Sequence, residues 1–191
     1  MRLMVLCLSI TLLAGVLLGG RLQNVSNLRI RWGGLAVVGF ALQFVTGPGE
    51  TVPLVSLYAS FVLLIVFAVK NIRITGFPVV LVGILLNFTV IGLNHGMPVS
   101  GHALVASDQG QFLYDLTHDP YPKHHLATSA DTLRFLGDVI AIPSPIAQAV
   151  SVGDLFTYGG VAIVIVAAMR TPGRREEDGS APETEVQHAG G

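Results

Sequence analysis

The sequence predicts an all-α integral membrane bundle of about five transmembrane helices, and three observations carry that reading. Mean hydropathy is +0.65 with only 12% charged residues, where a soluble domain holds about a quarter. Residues 3–20, 33–49, 52–69, 74–94 and 155–169 contain no Asp, Glu, Lys or Arg, and a bilayer core takes roughly 17–25 apolar residues per helix. The basic residues between these runs alternate in position, as the positive-inside rule requires. At 191 residues the chain has room for one domain, with a polytopic part over 1–169 and a tail over 170–191. Continuous apolar runs, rather than alternating ones, favour helices over a barrel.

The first run, "RLMVLCLSITLLAGVLLGG", is expected to be retained as span 3–20. A lone arginine flanks it and no A-x-A cleavage site follows, unlike a secretory signal. Gly15 and Gly19 stand at small-xxx-small spacing, which suits close helix packing. The single cysteine, Cys7, lies inside this run; it excludes an internal disulfide and a multi-cysteine metal site. It reads as a small buried apolar residue.

Spans 33–49, 52–69 and 74–94 follow. Arg21, Arg29 and Arg31 precede the second span, Lys70 and Arg73 follow the third, and Arg170, Arg174 and Arg175 follow the fifth. The connection between the second and third holds only Glu50. The first loop, the third loop and the tail are therefore expected in the cytoplasm, with the N-terminus and residues 95–151 outside. No ionisable residue lies within the first four spans, which argues against a proton-coupled pump built from this chain alone. Asn87 shares a helical face with Gly83 and Asn94, and is expected to hydrogen-bond a neighbouring helix rather than line a cavity. Gln43 has the same two readings.

The outer loop holds five of the six histidines but two of the eleven Lys/Arg. Gly96 and Pro98 end the fourth helix near Asn94, which makes His95 a C-cap complementing the helix dipole. In "DLTHDPYPKHH", His118, Asp119, His124 and His125 are weak zinc candidates. No helical H-x-x-x-H appears, and Pro120 and Pro122 stiffen the segment, so no metal and no cofactor are expected. "TSADTLRFLGD" predicts a short interfacial helix: Thr128 or Ser129 as cap, Asp131 paired with Arg134, and Gly137 as terminator. Asp138 follows, before an apolar run, with Arg134 as its nearest expected partner.

Ser151 and Asp154 predict an N-terminal capping motif for the fifth span, 152–169. The tail "RTPGRREEDGSAPETEVQHAGG", including His188, has too little apolar surface to order and is expected to be disordered. No basic, aromatic-interleaved patch exists, which excludes nucleic acid as a partner.

Asn94…Met97-Pro98-Val99, then Phe135-Leu136-Gly137-Asp138 with a proline soon after, then Ser151-x-Gly153-Asp154, together resemble an uncharacterised bacterial family of small multi-pass membrane proteins, the domain of unknown function family 5317. The resemblance runs from the first span through the fifth and excludes the tail. It implies an integral membrane location and no assigned activity, and the expected location is a bacterial plasma membrane. That family usually places glycines between the asparagine and the Met-Pro, where His95 stands here, and commonly a proline where Ala141 stands. The matching positions are Asn94, Met97, Pro98, Gly137, Asp138, Gly153 and Asp154.

Three functions remain open at this level. The first is an accessory or structural component whose partners are the lipid bilayer and another membrane protein or a second copy. The second is an outer-leaflet enzyme or binding protein for a lipid-linked or headgroup-like substrate. Asp138 would be its base or ligand, Arg134 its anion anchor and Asn94 a polar positioner, with Met97, Pro98 and Asp154 as substrate-binding candidates. The third is an oligomeric transporter or channel.

Overall fold

The computed structural model describes residues 2–46, 49, 51–118 and 123–171. The tail from 172, Glu50, and Asp119 with the prolines at 120 and 122 lie outside the described residues. Among the described residues the architecture is mostly helical, and three helices are long and apolar enough to cross a membrane. These are α3 (Thr51–Lys70), α4 (Phe77–Asn94) and α7 (Val152–Arg170). Two shorter apolar helices, α1 (Arg2–Leu17) and α2 (Gly33–Leu42), pack beside them.

Both short helices depart from the expected spans. α1 stops at Leu17, because Gly19 adopts a left-handed conformation (φ 80°) that ends regular helix. α2 ends at Leu42 although the apolar run continues through Phe44 and Val45. Its ten residues rise only about 15 Å. Hydropathy marks where lipid is tolerated, not where the helix stops.

The bundle is assembled by small residues. Lipid tails are as apolar as leucine, so helix association in a bilayer rests on close packing and hydrogen bonds. α4 and α7 meet along glycines: a side chain at Gly160 would meet the Val80 backbone nitrogen at 2.6 Å, and one at Gly83 the Gly153 oxygen at 2.5 Å. α1 packs on α7 through Gly15, and Gly20 just beyond its end joins the contact, both against Met169. Gly19 touches nothing there, so the expected Gly15/Gly19 pair is corrected to Gly15/Gly20. The outside of the bundle is apolar: Val37, Val55, Leu13 and Val62 are all at least half exposed.

The two ends of the bundle differ. At one end, Arg21 N and Asn24 Nδ2 both donate to Met169 O at 2.8 Å. There too Asn71 exchanges hydrogen bonds with the Arg31 backbone, and Lys70 Nζ lies 4.9 Å from the Trp32 ring centroid. At the other end Arg2 donates to Pro145 O and Lys123 Nζ to Gln43 O and Val45 O, both at 2.6 Å. Gln43 thus contributes its carbonyl to this contact.

Residues 95–151 form a cap over this second end. It contains β1 (Met97–Val99), α5 (Gly101–Ala106), α6 (Gly110–His118), β2 (His124–Leu126), β3 (Ile140–Ile142) and β4 (Gln148–Val150). β1 pairs in parallel with β2, Met97 opposite His124, and β3 pairs antiparallel with β4. The interfacial helix expected over 128–137 is absent. Only Arg134–Leu136 forms a 3-10 turn, and Leu133 before it is left-handed (φ 54°). That kink takes Asp131 and Arg134 off a common helical face.

Candidate functional site

The start of α7 organises the cap end. Ser151 is extended, its hydroxyl accepts from Asp154 N at 2.9 Å, and Asp154 Oδ2 accepts from Ser151 N at 3.1 Å. This reciprocal pair satisfies two backbone donors that the first helical turn leaves open. It is then locked to α4: Asn87 Nδ2 donates to Asp154 Oδ1 and Ser151 Oγ donates to Asn87 Oδ1, each at 2.8 Å. Asn87 bonds a neighbouring helix, as the sequence reading expects. Gly153 makes the approach possible, since any Cβ there would collide with the Asn87 side chain.

About two turns beyond Asn87, α4 ends. Asn94 is its last residue, and the C-cap, His95, is left-handed (φ 56°), followed by Gly96 (φ 152°). Glycine adopts such angles without strain, whereas His95 holds the left-handed backbone with a full side chain. Asn94 turns outward: its Nδ2 donates to Thr132 O at 2.9 Å and its Oδ1 accepts from Thr132 N at 2.7 Å. The amide imitates a strand edge and pins residue 132 to the top of α4.

The Met-Pro-Val strand lies between two partners. On one side it holds β2; on the other Val99 bridges Asp138, with Asp138 N donating to Pro98 O and Ser100 N to Asp138 O, both at 3.0 Å. Gly137 lies so near Pro98 O that a side chain would displace the strand. The segments carrying the matched positions, scattered over sixty residues, therefore meet in one knot above α4 and α7.

Asp138 is the exception to this structural bonding. Its backbone is engaged, but among the described residues its half-buried carboxyl accepts no hydrogen bond. Burial, with the Asp154 carboxylate nearby, pushes it well above the ordinary carboxylate range. Arg134 pairs with neither Asp131 nor Asp138; it is exposed and makes no described side-chain bond. Instead His125 Nε2 meets Asp131 Oδ1 at 2.9 Å, the one ion pair among the described residues. Burial opposes ionisation of Asp131, but the Thr128 amide and the His125 ring outweigh it and hold that carboxyl below its ordinary range.

The three candidate metal histidines point to different neighbours. His118 stacks on Tyr114, with ring centroids 4.0 Å apart, and His124 faces Phe112 edge-on at 6.0 Å. His125 holds Asp131. Among the described residues no three metal-ligating side chains converge. Burial first, then the charges of Lys123 and His125, push His124 down to about 4.

Sequence reasoning missed Thr132, Lys123 and Gln148, which reach their partners through backbone or long-range contacts. It also passed over Tyr158, one turn below Asp154. The Tyr158 side chain lies beside Gln148 and within electrostatic reach of Asp154 and Asp138.

The fold and the cap-end knot define a helical protein with membrane-length apolar helices and an elaborated loop fastened to two of them. The profile of a family of unknown function, DUF5317, matches residues 27–166, and the chain belongs to that family. The match starts after α1, so the first helix lies before it. No curated protein matches the chain, and no solved structure does.

Proposed function

We propose that this chain is a polytopic protein of a bacterial plasma membrane, crossing the bilayer five times over residues 1–169. The N-terminus and the 95–151 cap face outward, and residues 170–191 lie in the cytoplasm. It serves as an accessory component that presents its cap to another membrane protein or to a second copy. The observation that supports this role is the engagement of the matched residues. Asn94, Pro98, Gly137, Gly153 and Asp154 hold backbone and helices together, as a rigid presenting surface needs. The orientation draws support from Arg21, Arg29, Arg31, Lys70, Arg73 and Arg170, which gather toward the end opposite the cap.

Native mass spectrometry of the protein extracted in its own lipid tests the role. A stoichiometric protein partner or a defined homo-oligomer is expected; a monomer with no bound protein overturns it.

A second reading, an outer-leaflet binding protein or enzyme for a headgroup-like substrate, is favoured by one observation. Asp138 and Arg134 are ionisable cap residues whose side chains make no described hydrogen bond or ion pair. A phenotype that survives both Asp138→Asn and Arg134→Ala removes it.

A further inference from the structure

The turn that stands in place of the expected interfacial helix sorts its side chains by a different device. Leu133 is left-handed (φ 54°), Arg134–Leu136 makes a single 3-10 turn, and Gly137 is extended. Neighbouring residues are thereby sent to opposite sides. Leu136 packs against the core cluster that holds Val90, Ile91 and Met97, and Gly137 is buried against Pro98 O. Phe135 is left 64% exposed, and Arg134 and Val139 are exposed as well.

Contacts fix the place of this turn in the bundle. Thr132, just before it, is bonded through both backbone groups to the amide of Asn94, the last residue of α4. The turn itself touches both α4 and α7. Leu93 in the last turn of α4, and Leu155 and Phe156 at the start of α7, are exposed apolar side chains at this end. Phe135 therefore stands where the apolar exteriors of the two helices reach the cap. A cation stands beside it in sequence: Arg134 makes no described side-chain bond, and the nearby Asp131 carboxylate is taken by His125 at 2.9 Å and Thr128 N at 2.6 Å.

We propose that the Arg134–Phe135 turn is an interfacial anchor. The Phe135 ring inserts at the boundary between headgroups and acyl chains of the outer leaflet, and the Arg134 guanidinium binds lipid phosphate. The occupant is a phospholipid surface because the exposed ring continues the apolar exterior of α4 and α7, while the unpaired guanidinium complements phosphate oxygens. Arginine can lay its aliphatic stem along apolar surface and keep its charged head among the headgroups. The inference rests on the membrane-spanning reading above and adds what sets the depth of the cap, since apolar helix length alone leaves depth and tilt undetermined.

Trp32 is the single tryptophan of the chain, so a Trp32→Phe, Phe135→Trp protein reports on position 135 alone. The full chain is reconstituted into vesicles of phosphatidylethanolamine and phosphatidylglycerol brominated either high or deep on the acyl chains. Shallow bromines are expected to quench the fluorescence at least about twofold more than deep ones, as insertion by roughly 5–10 Å implies. Aqueous iodide is expected to quench it far less than free tryptophan. Adding Arg134→Glu is expected to draw the ring outward, lowering bromine quenching and raising iodide quenching. Strong iodide quenching without bromine quenching overturns the proposal. So does a ring shielded from both, which would put it under a protein or a second copy, and so does quenching untouched by Arg134→Glu. Ile163→Trp in the Trp32→Phe background, at an exposed position of α7, separates the two failures. No bromine quenching at 163 defeats the membrane-spanning reading, whereas quenching at 163 but not at 135 defeats only this inference.

Discussion

Asn87 on α4 uses both ends of its amide on α7, donating to Asp154 Oδ1 and accepting from Ser151 Oγ at 2.8 Å each. A capping box normally serves its own helix. Here the same side chains also fix the rotation of α7 against α4, so the cap and the helix contact are one structure.

Asn87→Leu should therefore cost more than an ordinary surface amide. It leaves the Ser151 hydroxyl without its acceptor and Asp154 Oδ1 without its donor. The expected loss is about 1–2 kcal/mol, read as a lower midpoint in detergent-based denaturant or thermal unfolding. An unchanged midpoint would show that the lock contributes nothing.

Gly153→Ala and Gly137→Ala probe two close approaches by different routes. The first places a methyl on the Asn87 side chain and forces α4 from α7; the second drives it into Pro98 O and lifts β1 from the 138 segment. Overpacking of this kind costs about 1–3 kcal/mol. Gly153→Ala is expected to lower global stability, and Gly137→Ala to raise protease cleavage within 95–151 while the helices stay intact. Limited proteolysis distinguishes them.

Acid should loosen the cap through His124. Its folded pKa, near 4, lies below the unfolded value of 6.5, so folding favours the neutral ring. The contribution is fully present above about pH 6.5 and declines as pH falls from there toward 4. Asp138 has the opposite sign: its raised folded pKa favours the protonated form, so its contribution weakens as pH rises through that pKa. His124→Phe is expected to flatten the loss of stability between pH 6.5 and 4.5. Unfolding midpoints across that range check it; parallel curves for variant and parent would assign the acid response elsewhere.

Orientation is open to direct labelling. In a Cys7→Ser background, Gln111→Cys in α6 and Arg73→Cys between α3 and α4 are both at exposed positions. A membrane-impermeant maleimide applied to intact cells is expected to label position 111 and to reach position 73 only after lysis. The reverse pattern would invert the proposed topology.

The long helices were legible in the sequence because a bilayer-length run without charge has few other uses, and α3, α4 and α7 fulfil that. Local motifs were legible too: the Ser151/Asp154 cap and the helix end at Asn94–His95 depend on a few adjacent residues. The cap fold was not. β1 finds β2 across 27 positions, Met97 to His124, with both strands only three residues long, too short for a period to register. The Asp131–Arg134 expectation failed because it assumed helical spacing through Leu133, whose left-handed backbone breaks it. His125 then becomes the carboxylate's partner from outside the window in which local pairs are sought.

α1 leans on α7, which follows it much later in the chain: Gly15 and Gly20 both sit on Met169, and Arg21 donates to its carbonyl. During synthesis α1 must therefore wait, its glycine face uncovered, until α7 has been translated. A ribosome that stalls before Val152 leaves an orphaned helix and an untethered cap. Closure of the α1 face and tethering of the cap thus depend on the same helix, α7.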